Sequence, residues 1–149
     1  MKLRKRMMAL LLSLCMMAAS TSAFAAGRAI VTRSTAPDGS AVPYTMYIAT
    51  TSASLRTTGS DTVTYTLNVS TTRNVKISCN VTVQRYAGNN TWINASSTRY
   101  YEQNNCNEFN VIDSVSGLPG GQYRVVVDYY ASLNGYTDYI YAESNYCYL

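Results

Sequence analysis

Val75-Lys76-Ile77-Ser78-Cys79-Asn80-Val81-Thr82-Val83-Gln84 alternates apolar and polar side chains without a break. Successive side chains of an extended chain point to opposite faces. Val75, Ile77, Cys79, Val81 and Val83 therefore form one apolar row, with Cys79 at its middle and facing inward. This is the period-two pattern of a strand with one buried face. The pattern recurs on either side: Val63, Tyr65, Leu67 and Val69 alternate with Thr64, Thr66 and Asn68. Further on, Tyr123, Val125, Val127 and Tyr129 alternate with Arg124, Val126, Asp128 and Tyr130. No convincing amphipathic helical stretch follows residue 26, and the many Tyr, Thr and Val residues suit a pleated, half-buried surface. The class is all-β.

Turn chemistry divides the chain. Arg73-Asn74 reads as a turn. Ala87-Gly88-Asn89-Asn90 reads as a hairpin, with Trp92-Ile93 starting the return strand. Residues 96–107 are polar and read as a weak edge strand followed by a loop, and Phe109 to Val115 as the next strand. Gly117 to Gly121 is a turn, Asn134-Gly135 the last hairpin, and Thr137 to Tyr148 closes the sheet. Upstream, Pro37-Asp38-Gly39-Ser40 is a turn signal within a lead-in over residues 26–43, where Ala29-Ile30-Val31 forms a short strand. Tyr44 to Thr50 and Ala53 to Thr57 make two short strands or one edge strand with a break. About seven closely spaced short strands over residues 44–149 predict an antiparallel β-sandwich.

The first 25 residues carry an address. Lys2, Arg4, Lys5 and Arg6 precede an apolar run from Met7 to Ala19, and small residues lead to Ala23-Phe24-Ala25. That order describes a secretory signal peptide cut between Ala25 and Ala26. The run is shorter than the ~20 residues of a membrane span, so an exported mature form with no membrane span is expected. Four of the twelve lysines and arginines lie in this leader, which leaves eight facing eight acids. With no basic stripe, the electrostatic footprint of a nucleic-acid binder is missing. Cys15 departs with the leader. The remaining Cys79, Cys106 and Cys147 match no compact zinc motif, and the chain has no histidine to complete one. No metal or cofactor is expected.

The lack of histidine also removes Ser-His-Asp and Cys-His nucleophiles. Glycosidase chemistry needs only two carboxylates, for which Asp113, Asp128 and Glu143 are the candidates. Asp128 alternates outward and Glu143 sits near a sheet edge, which is the pattern of solvated strand charges. Gly117, Gly120 and Gly121 belong to a turn with no helix after it, so no phosphate loop is present.

Tyrosine gives the functional hint. Eight of the 14 lie between Tyr123 and Tyr148, on what should be two neighbouring strands. With Tyr123 and Tyr129 inward, Tyr130 lies outward, Tyr136 at the turn, and Tyr139 and Tyr141 on one face. Tyr130, Tyr136, Tyr139 and Tyr141 are the candidate binding ridge: outward tyrosines offer apolar area with a polar tip and can stack on sugar rings or form a protein-binding patch. The competing reading is cross-strand aromatic pairing that stabilises the sheet.

Leu118-Pro119-Gly120-Gly121-Gln122-Tyr123-Arg124-Val125-Val126-Val127 resembles the E–F corner of fibronectin type III and immunoglobulin-like domains. The resemblance implies that Tyr123 is a buried structural tyrosine whose hydroxyl bonds upstream backbone. Trp92 falls at the C–C′ hairpin, where a structural role is expected, and not on the second core strand as in the type III pattern. In that topology Cys106 enters strand E at one end of the domain and Cys147 lies at the other. Any intramolecular disulfide is then Cys79–Cys106, formed if the 100–107 loop folds inward; otherwise all three thiols stay free. The leader, Ala53-x-Leu55, Val83-Gln84-Arg85-Tyr86 before Gly88 and Trp92, and Gly121-x-Tyr123-Arg124-Val125 together look like a group of small secreted Gram-positive bacterial proteins, known as domains of unknown function. That likeness implies fold and compartment and no activity. The function expected is a non-catalytic binding or cell-envelope interaction module, taking an envelope, glycan or protein ligand. Its rivals are a small carboxylate-dependent hydrolase and a self-associating structural surface protein.

Overall fold

The computed structural model describes residues 29–35, 37–42 and 46–149; the expected signal peptide lies outside them. The described residues form nine strands: β1 (Ala29–Thr35), β2 (Ala41–Val42), β3 (Ile48–Thr57), β4 (Val63–Gly88), β5 (Thr91–Asn94), β6 (Arg99–Val115), β7 (Gln122–Leu133), β8 (Tyr136–Glu143) and β9 (Cys147–Tyr148). Every ladder is antiparallel, in the order β2-β1-β8-β7-β4-β3, with β5 and β6 on β4 and β9 on β7. The stretch read as a lead-in thus contributes β1 and β2 to the sheet.

The long strand β4 organises everything else. From Val63 to Val83 its odd-numbered side chains are buried, with Arg73 alone of that set exposed. Arg73-Asn74 is therefore not a turn: neither residue has a positive φ, and the strand continues through them with its parity kept, although residues 72–74 are all exposed. The first half of β4 lies between β3 and the C-terminal half of β6, from Val63↔Val115 to Ser70↔Glu108. The second half lies between β7 and the N-terminal half of β6, ending at Val81↔Arg99, with β5 beyond. The changeover is marked by register shifts around Val75 and by Asn105 at φ 52°. Such bulges bend a strand and increase its twist.

Residues 100–107 are correspondingly not a loop. They continue as one 17-residue strand with Phe109 to Val115. An edge strand can be polar on both faces, which removes the alternation that would reveal it.

β3 packs across the core from β7 and β8. The buried rows of both halves of β4 join Leu55, Tyr123, Val125, Val127, Tyr129 and Ile140 in one cluster. Polar clamps hold these parts together. The Asp138 carboxylate, fully buried on β8, accepts the backbone N–H groups of Met46 (3.0 Å), Tyr47 (2.6 Å) and Ile48 (2.9 Å). Asn145 mimics a strand partner for β3: its Oδ1 accepts the Leu55 N–H at 2.9 Å and its Nδ2 donates to the Leu55 carbonyl at 2.8 Å. The tight turns follow their sequence. Asn134-Gly135 joins β7 to β8 and Asn89-Asn90 joins β4 to β5, all four with positive φ, as two-residue type I′ hairpins require.

Candidate functional site

The core uses the odd residues of β4 and β7, so their even residues face outward and line up in rows across four strands. One row runs Glu102, Ser78, Tyr130, Tyr139, and the next Tyr100, Asn80, Asp128, Tyr141. Beyond these come Thr82, Val126 and Glu143, then Asn94, Gln84 and Arg124. Trp92 opposite Tyr86 completes the face.

The tyrosine tips are fixed. Tyr130 and Tyr139 pack with ring centroids 5.3 Å apart, and the Tyr139 hydroxyl donates to Asp128 Oδ1 at 2.6 Å. The Tyr141 hydroxyl donates to Glu143 Oε1 at 3.1 Å, and burial pushes its phenol up to about 12. Glu143 also pairs with Arg124 Nη1 at 2.7 Å. Arg124 Nε reaches Gln84 Oε1 at 3.0 Å, and Gln84 Nε2 reaches Asn94 Oδ1 at 3.1 Å. The Arg124 guanidinium lies 4.4 Å from the Trp92 ring centroid. Tyr146 stacks on Trp92 at 5.3 Å and Tyr86 approaches it at 5.2 Å. Trp92 thus lies outside the buried core, and its contacts belong to this outward face.

Tyr136, grouped with the outward tyrosines in the sequence reading, does not join them. A two-residue turn at Asn134-Gly135 sets Tyr136 opposite Leu133, on the inward side, where it packs against the core. The turn length contains this information: it places odd β7 residues against even β8 residues. The Trp92 cluster was harder to foresee, because a register shift between Tyr86 and Gly88 brings Tyr86 opposite Trp92.

The carboxylates divide into two places. Asp128 and Glu143 are diagonal neighbours on the outward face, each held by a tyrosine hydroxyl. Asp113 is elsewhere, opposite Tyr65 on the other half of β4. There Asp113 Oδ2 accepts from Tyr101 and from Arg99 Nη1, each at 2.5 Å, and Tyr101 and Tyr65 share a hydrogen bond of 2.6 Å. The Tyr101 hydroxyl bond, with Arg99 alongside, holds the Asp113 carboxyl at about 2, below the usual carboxylate range. Desolvation raises both phenols.

Cys79, Cys106 and Cys147 are free thiols. This is the second of the two outcomes left open by the sequence: the Cys79–Cys106 bridge, which required an inward-folded 100–107 loop, is not formed. Cys106 sits opposite Val75 and Cys79 opposite Tyr101, so about four residues of strand, ~13 Å, separate them, beyond the ~7 Å a disulfide spans. Burial pushes the Cys79 thiol up to about 12, which leaves it protonated and inert.

The outer face of the other sheet half differs in kind. Thr58, Thr64 and Ser114 form a cross-strand hydroxyl chain with links of 2.8 and 2.7 Å. A groove of about 250 Å³ opens among Thr50, Asn68, Ser70, Glu108 and Asn110. Among the described residues, no group of His, Cys, Asp and Glu is placed to hold a metal ion, and no helix is long and apolar enough to cross a membrane. Comparison with protein-family models, curated proteins and solved structures returns no match.

Proposed function

We propose that this chain is a secreted, non-catalytic binding module on an immunoglobulin-like β-sandwich, similar to small Gram-positive secreted proteins. Its ligand-recognising surface is the outward face around Tyr130, Tyr139 and Tyr141. The observation that carries this reading is the Tyr130–Tyr139 ring pair, anchored through the Tyr139 hydroxyl to Asp128. Rings held in fixed orientation present contact area at low entropic cost on binding. The sandwich assignment draws support from β3 facing β7 and β8, and from Tyr123, which is fully buried and donates its hydroxyl to the Pro119 carbonyl as in the immunoglobulin corner. Export remains the reading of the N-terminal sequence, and no nucleic acid is expected because the acids and bases balance.

The hydrolase reading finds less support. The outward carboxylates are engaged within the sheet, Asp128 by the Tyr139 hydroxyl and Glu143 by Tyr141 and Arg124, and Asp113 lies on the other half of β4, away from both.

The test is to offer the purified mature protein to cell-envelope fractions and immobilised glycans, with turnover assays on the same materials. Retention without product formation is expected. Release of product by the protein would replace this reading with an enzymatic one.

A further inference from the structure

Building on that reading, we infer that the outward face is a two-platform track for an extended, uncharged polysaccharide of equatorially linked hexoses. The first platform is Tyr130, Tyr139 and Tyr141. The second is the Trp92 cluster, where Tyr86, Tyr146 and Tyr148 are 37%, 52% and 68% exposed. Tyr148 sits opposite Gln122, on the parity of Arg124 and Tyr130, so it adjoins the same face. From Tyr130 to Arg124, beside Trp92, six residues of β7 span ~20 Å. That length accommodates several sugar rings of an extended chain and exceeds any single ring.

Three features select this ligand chemistry. Equatorially substituted hexose rings present apolar C–H faces with hydroxyls at the rim, so they need aromatic surface flanked by hydrogen-bonding groups. The ground between the platforms holds the polar side chains of Asn80, Gln84, Asn94 and Asp128. The cations of the face are matched, Arg124 with Glu143 and Lys76 with Glu102, and Asp128 adds a carboxylate held by Tyr139, so the surface presents no unpaired cation to an anionic chain. A protein partner would need an apolar centre depleted of charge, whereas Asp128, Glu143 and Arg124 occupy the middle here.

The experiment is calorimetric titration of the purified mature protein with dimers and hexamers of β-1,4-linked glucose and β-1,4-linked N-acetylglucosamine. At least one hexamer should bind on the order of tenfold or more tighter than its dimer, because the second platform adds to the first. Tyr146→Ser/Tyr148→Ser removes exposed rings of the second platform and should bring hexamer affinity down to the dimer's. Tyr139→Ser should weaken both. Melting curves of each variant establish that the fold is kept, and Tyr148→Ser alone serves if the double variant melts early. Equal affinity for dimer and hexamer, or a hexamer unaffected by Tyr146→Ser/Tyr148→Ser, overturns the track. If neither hexamer binds while envelope fractions still do, the track fails and the broader binding reading stands. If envelope fractions are not retained either, both fail.

Discussion

The hydroxyl of Tyr129, on β7, donates to the carbonyl of Ser52, on β3, at 2.8 Å, tying together strands that face each other across the core. The ring is fully buried, and desolvation raises its phenol. Tyr129→Phe keeps the ring and removes the bond, leaving a carbonyl short of a donor. It should cost about 1 kcal/mol, whereas Tyr129→Ala should cost roughly 3–5 kcal/mol by opening a cavity. Denaturant titration of the two variants separates the contributions.

Asp138 is the acceptor for three backbone N–H groups at the start of β3. Asp138→Ala would strand those donors in a buried site, at about 3 kcal/mol or more. Hydrogen exchange should show Tyr47 and Ile48 losing protection first. Unchanged exchange at those amides would mean that the clamp is not what holds β3 in place.

Tyr123 fills the corner beneath Pro119. Tyr123→Ala should cost roughly 3–5 kcal/mol, in line with other large-to-small core changes. The neighbouring Gly121 has φ 151°, and a Cβ there would meet Arg85 Nε at 2.7 Å. Gly121→Ala should therefore also destabilise, by about 1–3 kcal/mol. Thermal melts of both variants check the corner as a unit.

Asp113 gives the fold an acid-sensitive link. Its carboxyl is depressed from an ordinary value of 3.8 to about 2 by the Tyr101 hydroxyl, with Arg99 assisting. A depressed folded-state value means that the contribution is present above pH 4 and is lost as pH falls through about 2. The group is partly exposed, so solvent screening keeps the contribution small. Asp113→Asn should lower stability above pH 4 and lessen its loss on acidification. A parallel pH–stability curve in wild type and variant would remove the link.

Much of this fold is legible in the chain because alternation survives wherever one face is buried. The rows Val75–Val83 and Tyr123–Tyr129 read directly as strands, and Asn134-Gly135 reads as their hairpin partner's turn. Alternation fails where both faces are wet. Arg73-Asn74 looks like a turn only because β4 passes from one ladder to the other there. Residues 100–107 look like a loop because β6 is an edge. Nothing local in the sequence sets Asp138 apart, because the Met46–Ile48 backbone that closes over it lies some 90 positions away. Of the site, Tyr130, Tyr139 and Tyr141 follow from parity. The Arg124–Trp92–Tyr146 stack depends on a bulge and a distant segment, which no period in the sequence encodes.

The proposed binding depends on the outward tyrosines contacting a ligand. Its most direct test compares binding of wild type and Tyr130→Ser/Tyr139→Ser to cell-envelope fractions, alongside their melting temperatures. Wild type should be retained and the variant should pass through unbound, with its melting temperature lowered by only a few degrees. A variant that binds as wild type does, or one that loses binding only because it unfolds, would contradict that dependence and leave the tyrosines as sheet packing.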